Sequence, residues 1–360
     1  MSVTKILHKS RVWTFALLAM GCSSLVQASN ETKGPNGEQA IPYTQVSLTQ
    51  EQQDQVKSKN YTAAILMHST SDWSNALVAG AKDLFSSLNV EVVAVTDAEF
   101  DANKQKTDVE TIMAMKPDIL IALVVDPVSG AAAFRPAVEQ GSKLVLISNL
   151  PTGFVHGKDY AGIVTDDLFE MGKIAADLIA DAVGPKGKIG FIYHDASYYV
   201  TNQRDQAVLT NLKNNYPEIE IVAQRGIANA NDGEAISSAL ITQYPDINAI
   251  YAPWDSIAEG VVSATRAAGR KDIKVVTMDL GAANALDMAK GRNVAGIVTD
   301  LPYDLGQTLA RMGALSKLGV DIPAFVTVSA SGVTRDNLAS AWQKALRREA
   351  PSSVVKALAK

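Results

Sequence analysis

Polar and aromatic side chains occur where several apolar segments of the sequence end. Trp73 and Trp254 each stand next to an aspartate, at the junction between a strand-like run and a helical pattern. Carboxylate and amide groups form hydrogen bonds with vicinal hydroxyls, and an indole face covers the apolar C–H side of a sugar or polyol. We therefore predict a carbohydrate-type site among the strand-end residues, with candidates His68, Asp72, Trp73, Asp126, Ser148, Asn149, Trp254, Asp255, Asp279 and Asp300.

Each of these residues also has a structural alternative. Strand ends precede helix starts and aspartate is a favoured helix N-cap, so capping competes with ligand contact. Buried packing is the alternative for the two tryptophans, and an ordinary polar role is the alternative for His68 and His194. We expect at least two ligand contacts from the aspartates that follow strands, which are Asp126, Asp255, Asp279 and Asp300.

Signatures of the common enzyme classes do not occur in the sequence. It contains no G-x-S-x-G elbow, no G-x-G-x-x-G after a strand, no G-x-x-x-x-G-K-[ST] loop, no H-E-x-x-H and no clustered Cys/His set. A paired base and acid could come only from His68 with Asp72 or from His194 with Asp195. We therefore predict a non-catalytic protein without a cofactor or a metal, and a hydrolase or isomerase is the least favoured alternative.

Length and charge limit the class of protein further. A chain of 360 residues with 47% hydrophobic residues is long enough for two cored domains. The formal net charge is -5, and the sequence has no Lys/Arg cluster interleaved with aromatic residues. Because a phosphate backbone is bound by basic stripes, we expect no nucleic acid partner.

The elements that must position the candidate residues alternate between strand and helix from Tyr61 onward. The strands are near-continuous apolar runs, which are typical of parallel sheets buried on both faces. The first half predicts strands at 61–68, 90–96, 118–125 and 143–148, with helices at 73–88, 104–115 and 131–140. The second half predicts strands at 188–193, 219–223, 249–252 and 274–278, with helices at 201–215, 233–243, 256–268 and 282–290. Two doubly wound α/β sheets follow, and their ligands bind outside the carboxyl ends of the strands.

A short internal repeat supports two equivalent halves. The sequence AGIVTD at 161–166 recurs at 295–300, and each copy is followed six residues later by a glycine, Gly172 or Gly306. We predict that the two copies form equivalent, pseudo-symmetric connections.

The termini are predicted to lie outside the two cores. Residues 1–28 combine basic residues with a short apolar run, which indicates an export signal. We favour cleavage after Ala28, while cleavage before Cys22 would leave a lipid anchor on the only cysteine. Residues 29–59 are polar and lack periodicity, so we expect a flexible lead-in, and 346–360 are expected to form a C-terminal tail.

In the order and spacing of several short motifs, the sequence resembles the periplasmic sugar-binding proteins of the ribose-binding type. These proteins are type I periplasmic binding proteins, the substrate-binding components of ABC transporters. The similarity extends from about Ala63 to about Trp342. The matching segments are 80–81, 117–120, 126–127, 244–246, 276–279, 326–328 and 333–338.

The resemblance implies two Rossmann-like lobes joined by a three-stranded hinge. The crossings would fall near 161–166, 300–302 and 324–328. An N-terminal lobe would then comprise 60–162 and 301–325, and a C-terminal lobe would comprise 163–300 and 326–345.

The resemblance also assigns individual ligand positions. It places the family's first-loop aromatic at Trp73, a ligand asparagine at Trp254, a strand-end aspartate at Asp279 and a late amide at Asp300. The Asp-Arg pair typical of ribose binders is replaced here by Ser148 and Asn149. A second arginine, which holds sugar oxygens in the family, is replaced by Asn202. Arg204 is expected to have a structural role. Without these arginines, a polyol, a furanose-like compound or a cationic solute fits at least as well as ribose.

The function implied by the resemblance is transport. We predict a monomeric protein, exported to the periplasm, that captures a sugar or polyol between its lobes and hands it to a membrane permease. The alternative is a periplasmic receptor module that senses a sugar-like signalling molecule or a small cationic solute.

Overall fold

The structure is a computed structural model that describes residues 31–360. It contains two sheets, each covered by helices on both faces, which form two lobes. The predicted export signal and Cys22 lie outside the described residues. Within 31–360, no helix is long and apolar enough to cross a membrane.

The sheet of the N-terminal lobe is entirely parallel, with strand order β1-β12-β6-β5-β4-β2-β3. Its strands are β1 (Ile41–Pro42), β2 (Thr62–Met67), β3 (Glu91–Asp97), β4 (Ile119–Leu123), β5 (Lys143–Ile147), β6 (Gly162–Asp166) and β12 (Phe325–Val328). Its helices are α1 (Gln50–Lys57), α2 (Asp72–Ser87), α3 (Ala102–Met113), α4 (Pro127–Glu139) and α10 (Pro302–Lys317). Every residue of β4 is buried, as expected for a central parallel strand.

The sheet of the C-terminal lobe has the order β13-β11-β10-β9-β7-β8, and only its edge strand β13 is antiparallel. Its strands are β7 (Lys188–His194), β8 (Glu220–Ile227), β9 (Ala249–Ala252), β10 (Lys274–Met278), β11 (Val294–Thr299) and β13 (Ser331–Val333). The remaining helices are α5 (Leu168–Val183), α6 (Tyr199–Asn215), α7 (Gly233–Gln243), α8 (Asp255–Ala267), α9 (Ala282–Ala289), α11 (Leu338–Leu346) and α12 (Ser352–Leu358).

The chain crosses between the lobes slightly later than the resemblance implied. Ile163 pairs with Phe325, and Val164 pairs with Ile147, so β6 and β12 both belong to the N-terminal sheet. The crossings therefore follow Asp166 and Val328, and the segments 163–166 and 326–328 lie in the N-terminal lobe.

The repeated sequence forms equivalent connections, as predicted. Each copy is the last strand before a crossing, β6 or β11, and each leads into a helix of the other lobe, α5 or α10. The conserved spacing of the two glycines has a packing reason: a Cβ at Gly306 would lie 1.9 Å from the carbonyl oxygen of Leu77, and one at Gly172 would lie 2.4 Å from the Cβ of Ala207. Both glycines allow close contact with a neighbouring helix.

The predicted flexible lead-in is wrong for the part of it that the structure describes. It contains β1, a 3-10 helix (Tyr43–Gln45) and α1, whose start is fixed by a capping box between Thr49 and Gln52. Before β1, the hydroxyl of Tyr199 donates to the backbone oxygen of Lys33. This segment therefore contacts α6 of the C-terminal lobe and then pairs with β12 of the N-terminal lobe.

The C-terminal tail also has regular structure and contacts both lobes. Within the tail, α12 packs against α9 with Val354 buried. Helix α11 lies almost entirely before the tail, in the segment predicted to belong to the C-terminal lobe, and it packs instead against α2 and α10 of the N-terminal lobe. Between these helices, Arg347 pairs with Asp304 at the start of α10, and Arg348 pairs with Asp72 at the start of α2.

Candidate ligand-binding site

A cavity of about 510 Å³ lies between the two lobes, at the carboxyl ends of the strands. Its volume is within the range of small-molecule sites. Seven of the predicted residues line it: His68, Asp72, Trp73, Ser148, Trp254, Asp255 and Asp279. The remaining lining residues are Ser69, Thr70, Ser71, Phe100, Leu123, His194, Tyr198, Val200, Thr201, Arg204, Ser256, Glu259, Gly281, Ala282 and Ala283.

The loop after β2 and the first turn of α2 supply one wall. Ser71 caps α2 by accepting a hydrogen bond of 3.1 Å from the backbone nitrogen of Ser74. This cap places Trp73 in the first turn of the helix, where its indole nitrogen donates a 2.9 Å hydrogen bond to Oδ1 of Asp300. The indole is therefore held by a residue of the opposite lobe.

Aromatic rings from both lobes meet across the cavity. Phe100 contacts His68 edge-on, with 4.8 Å between ring centroids, and stacks on Trp254 at 6.1 Å and an interplanar angle of 29°. His194 also contacts Trp254 edge-on, with 4.9 Å between ring centroids. Such rings can cover the C–H faces of a sugar or polyol.

A buried ionic cluster connects the cavity wall to the hinge. The Nε of Arg204 donates to Oδ2 of Asp166 at 2.7 Å, and its Nη1 donates to Oδ2 of Asp279 at 3.3 Å. Asp300 lies close enough to interact with all three, and its Oδ2 has no hydrogen-bond partner among the described residues. Burial, together with the charges of Asp166 and Asp279, raises the pKa of Asp300 well above its ordinary value.

Two residues of the cavity wall have left-handed backbone conformations. Ser148 follows β5 with a φ of 53°, and Asp279 follows β10 with a φ of 67°. Non-glycine residues rarely adopt this conformation, and it concentrates at functional sites. The two strands occupy equivalent positions in the two sheets, each next to the strand formed by the repeated sequence.

Acidic side chains gather at one end of the cavity. Asp72 accepts a hydrogen bond of 2.8 Å from the backbone nitrogen of Ala282, across the cleft, and pairs with Arg348. Asp255 and Glu259 lie one turn apart on α8. Burial, and next the charge of Asp279, raises the pKa of Asp255 to about 8.

The two histidines of the cavity are neutral at neutral pH. Burial lowers the pKa of His68 to about 4 and that of His194 to about 4. Nδ1 of His194 is 2.7 Å from the hydroxyl of Thr201. Among residues 31–360, no group of three or more His, Cys, Asp or Glu side chains could hold a metal ion.

Four predicted residues do not line the cavity. Asp126 caps α4, accepting hydrogen bonds of 3.1 Å and 2.7 Å from the backbone nitrogens of Val128 and Ser129, so the capping alternative describes its position. Asn202 also has local partners, since it donates to the backbone oxygen of His194 at 3.0 Å.

The other two residues outside the cavity wall connect the lobes. Asn149 donates to the backbone oxygen of Val124 and accepts a 3.2 Å hydrogen bond from the backbone nitrogen of Val200 in the other lobe. Asp300 is fully buried behind Trp73.

Sequence reasoning missed several residues of the wall. Arg204 was expected to be structural, and it both pairs with buried acids and lines the cavity. Tyr198 and Phe100 come from loops outside the predicted strand ends, and a left-handed φ of 58° at Phe100 gives no signal in the sequence. Glu259 could have been found, because it follows Asp255 by one helical turn.

Comparisons with known proteins place this geometry in a family. Residues 37–317 match the family model described as periplasmic binding protein domain. A ribose import binding protein of Bacillus subtilis is 27% identical over 216 residues, which are 60% of this chain and 68% of that protein. A xylitol-binding protein of Mycolicibacterium smegmatis is 24% identical over 273 residues, 74% of this chain and 76% of that protein.

Solved structures show the same fold. A carbohydrate transporter solute binding protein from Agrobacterium radiobacter, in complex with D-arabinose, superposes with a TM-score of 0.71 at 25% identity and covers 81% of this chain and 99% of its own. The predicted fold class, two doubly wound α/β lobes of the type I periplasmic binding protein kind, is confirmed.

Proposed function

Because this chain belongs to the periplasmic binding protein domain family, we propose that it captures a small sugar or polyol between its lobes and delivers it to an ABC transporter permease. The predicted resemblance to ribose-type sugar-binding proteins is confirmed, and the chain is a solute-binding protein rather than an enzyme. The proposal includes export to the periplasm and action as a monomer.

The observation that carries the proposal is the composition of the cavity wall. Aromatic rings from both lobes enclose it, and hydroxyl, carboxylate and guanidinium groups lie between them. Apolar faces and hydrogen-bonding groups in one small cavity match the two surfaces of a sugar or polyol.

The contacts between the lobes support capture by closure. Asn149 bonds to Val200, Asp72 bonds to Ala282, and Phe100 stacks on Trp254, so each pair joins one lobe to the other. A ligand that touches both lobes favours this closed arrangement by its differential affinity. The permease would then distinguish loaded from empty protein by the separation of the lobes.

A thermal-shift screen tests the proposal. The purified protein is heated with pentoses, hexoses, tetritols and pentitols, since a ligand that binds only the folded state raises the unfolding temperature. We expect at least one strong stabiliser, whose affinity is then measured by calorimetry. Absence of stabilisation by every sugar and polyol would contradict the proposal.

Two variants connect the binding to this cavity. Trp254→Ala removes a stacked ring and should weaken binding at least tenfold, about 1.4 kcal/mol. Asp126→Ala is the matched control, because Asp126 caps α4 outside the cavity. The Asp126→Ala variant should bind the ligand as tightly as the unchanged protein. Equal losses of affinity in the two variants would show that the ligand binds elsewhere.

A further inference from the structure

The acidic end of the cavity lacks cations to balance it. Asp255 and Glu259 lie on the same side of α8 because they are four residues apart, and both line the cavity. Within residues 31–360, neither forms a salt bridge with Lys or Arg. The two basic side chains nearby are already engaged, Arg204 by buried aspartates and Arg348 by Asp72.

The charged groups that face Asp255 are all acidic. They are Asp279 after β10, Glu259 on its own helix and Asp72 at the start of α2. Burial first, and then each of these charges, raises the pKa of Asp255. Partial burial, and next the charge of Asp72, also raises the pKa of Glu259, although this residue keeps an exposed side. A neutral ligand would leave this group of acids without a counter-charge, and an anionic ligand would add to its negative charge.

A second observation points to a ligand at the same cavity. Tyr198 lines it and is only 5% exposed, and its hydroxyl lies near the side chain of Asn149 but has no hydrogen-bond partner of normal geometry among the described residues. A buried hydroxyl without a partner costs free energy, so its position favours a ligand that bonds to it. The rings of Tyr198 and Trp254 also offer π faces, which attract cations.

We propose that the ligand is a polyhydroxylated compound that carries a protonated amino group, an amino sugar or an amino polyol. The carboxylates of Asp255 and Glu259 bind the ammonium group, while the hydroxyl of Tyr198 and the remaining polar wall bind the ligand's hydroxyls. This inference depends on the proposed function, because it specifies the class of solute that the cavity takes.

Binding of an ammonium group also predicts release of protons. A cation next to Asp255 favours its ionised form and lowers its pKa. Since the pKa of Asp255 without ligand is about 8, most of this carboxyl is protonated at pH 7 and loses its proton on binding.

Matched ligand pairs test the inference by calorimetry at pH 7. Glucosamine, galactosamine, mannosamine and glucamine are compared with glucose, galactose, mannose and sorbitol, in which a hydroxyl replaces the amino group. We expect at least one amine to bind ten times more tightly than its hydroxyl partner. Repeating the titration in buffers of different ionisation enthalpy should show that protons are released.

Conservative variants separate the outcomes. Asp255→Asn and Glu259→Gln should abolish the preference for the amine, measured as the ratio of its affinity to that of its hydroxyl partner. Asp126→Asn, which lies outside the cavity, should keep both this ratio and the affinity for the hydroxyl partner. Equal or tighter binding of the hydroxyl partners overturns this inference and leaves the proposed function intact. Absence of binding by all eight compounds overturns the inference and also counts against the proposed function.

Discussion

The indole nitrogen of Trp73 donates a 2.9 Å hydrogen bond to Asp300, although the two residues are 227 positions apart in the chain. Trp73 belongs to the first helix that lines the cavity, and Asp300 follows β11 where the chain returns to the N-terminal lobe. This bond therefore connects the cavity wall to a hinge crossing.

Removal of the Asp300 carboxyl should weaken ligand binding by at least tenfold, about 1.4 kcal/mol. Asp300→Ala leaves the buried indole nitrogen of Trp73 without an acceptor, so the ring loses its fixed orientation. Asp300→Asn keeps an acceptor oxygen, and because the raised pKa of Asp300 favours the neutral acid, this variant should bind normally. Calorimetry with the ligand found by the screen measures the affinity of both variants. Equal losses of affinity in Asp300→Ala and Asp300→Asn would show that the negative charge is required.

Arg204→Met should strongly destabilise the folded protein. It removes the counter-ion of Asp166 and Asp279 inside the protein, and breaking a buried pair of this kind commonly costs about 3–5 kcal/mol. The free energy of unfolding in urea measures the effect. Lys188→Met is the control, because Lys188 and its partner Asp246 are exposed and solvent screens their attraction, so the free energy of unfolding should change little. A loss below about 1 kcal/mol for Arg204→Met would contradict the role given to the cluster.

Gly306→Ala should destabilise the N-terminal lobe by about 1–3 kcal/mol or more, because the added methyl group must separate α10 from α2. Urea unfolding again measures the change. Gln307→Ala alters the next position of the same helix, which is only half-buried, and should change stability little. Similar effects of the two substitutions would mean that the close approach of the helices is unimportant.

Asp255→Asn should change how stability depends on pH. The pKa of Asp255 is about 8 in the folded protein and lower in the unfolded chain, so its protonated form favours folding. That contribution is complete below the unfolded pKa and is lost as the pH rises toward 8. Since asparagine does not ionise, the unfolding temperature of the variant relative to the unchanged protein should rise by roughly 5 °C between pH 5 and pH 8. Parallel curves for the two proteins would contradict the assignment.

Four strands of each sheet were predictable because they are nearly continuous apolar runs. The predicted strands at 118–125 and 143–148 contain β4 and β5, which are almost entirely buried. By contrast, β1 is two residues long and β13 is three, and each is defined by pairing with a distant strand. No local pattern in the sequence identifies such short elements.

The site was predictable at the strand ends and not beyond them. The rule that ligands bind at the carboxyl ends of parallel strands led to Trp73, Ser148 and Asp279, which all line the cavity. It also selected Asp126, because a helix cap and a ligand contact look the same in a sequence. Phe100 depends on the shape of a loop, which the periodicity of apolar residues does not describe.

The segment before β1 limits how far the two lobes can separate. Lys33 is held by Tyr199 in one lobe and Ile41 is paired with Val326 in the other, so a tether of eight Cα-to-Cα steps connects these attachment points. Fully extended, that tether reaches at most roughly 29 Å. The attachment point Tyr199 directly follows Tyr198, which belongs to the cavity wall. Wide opening of the lobes would therefore either stretch this tether fully or break its contact with Tyr199. A fluorophore at Lys33 would report the broken contact as a change in mobility.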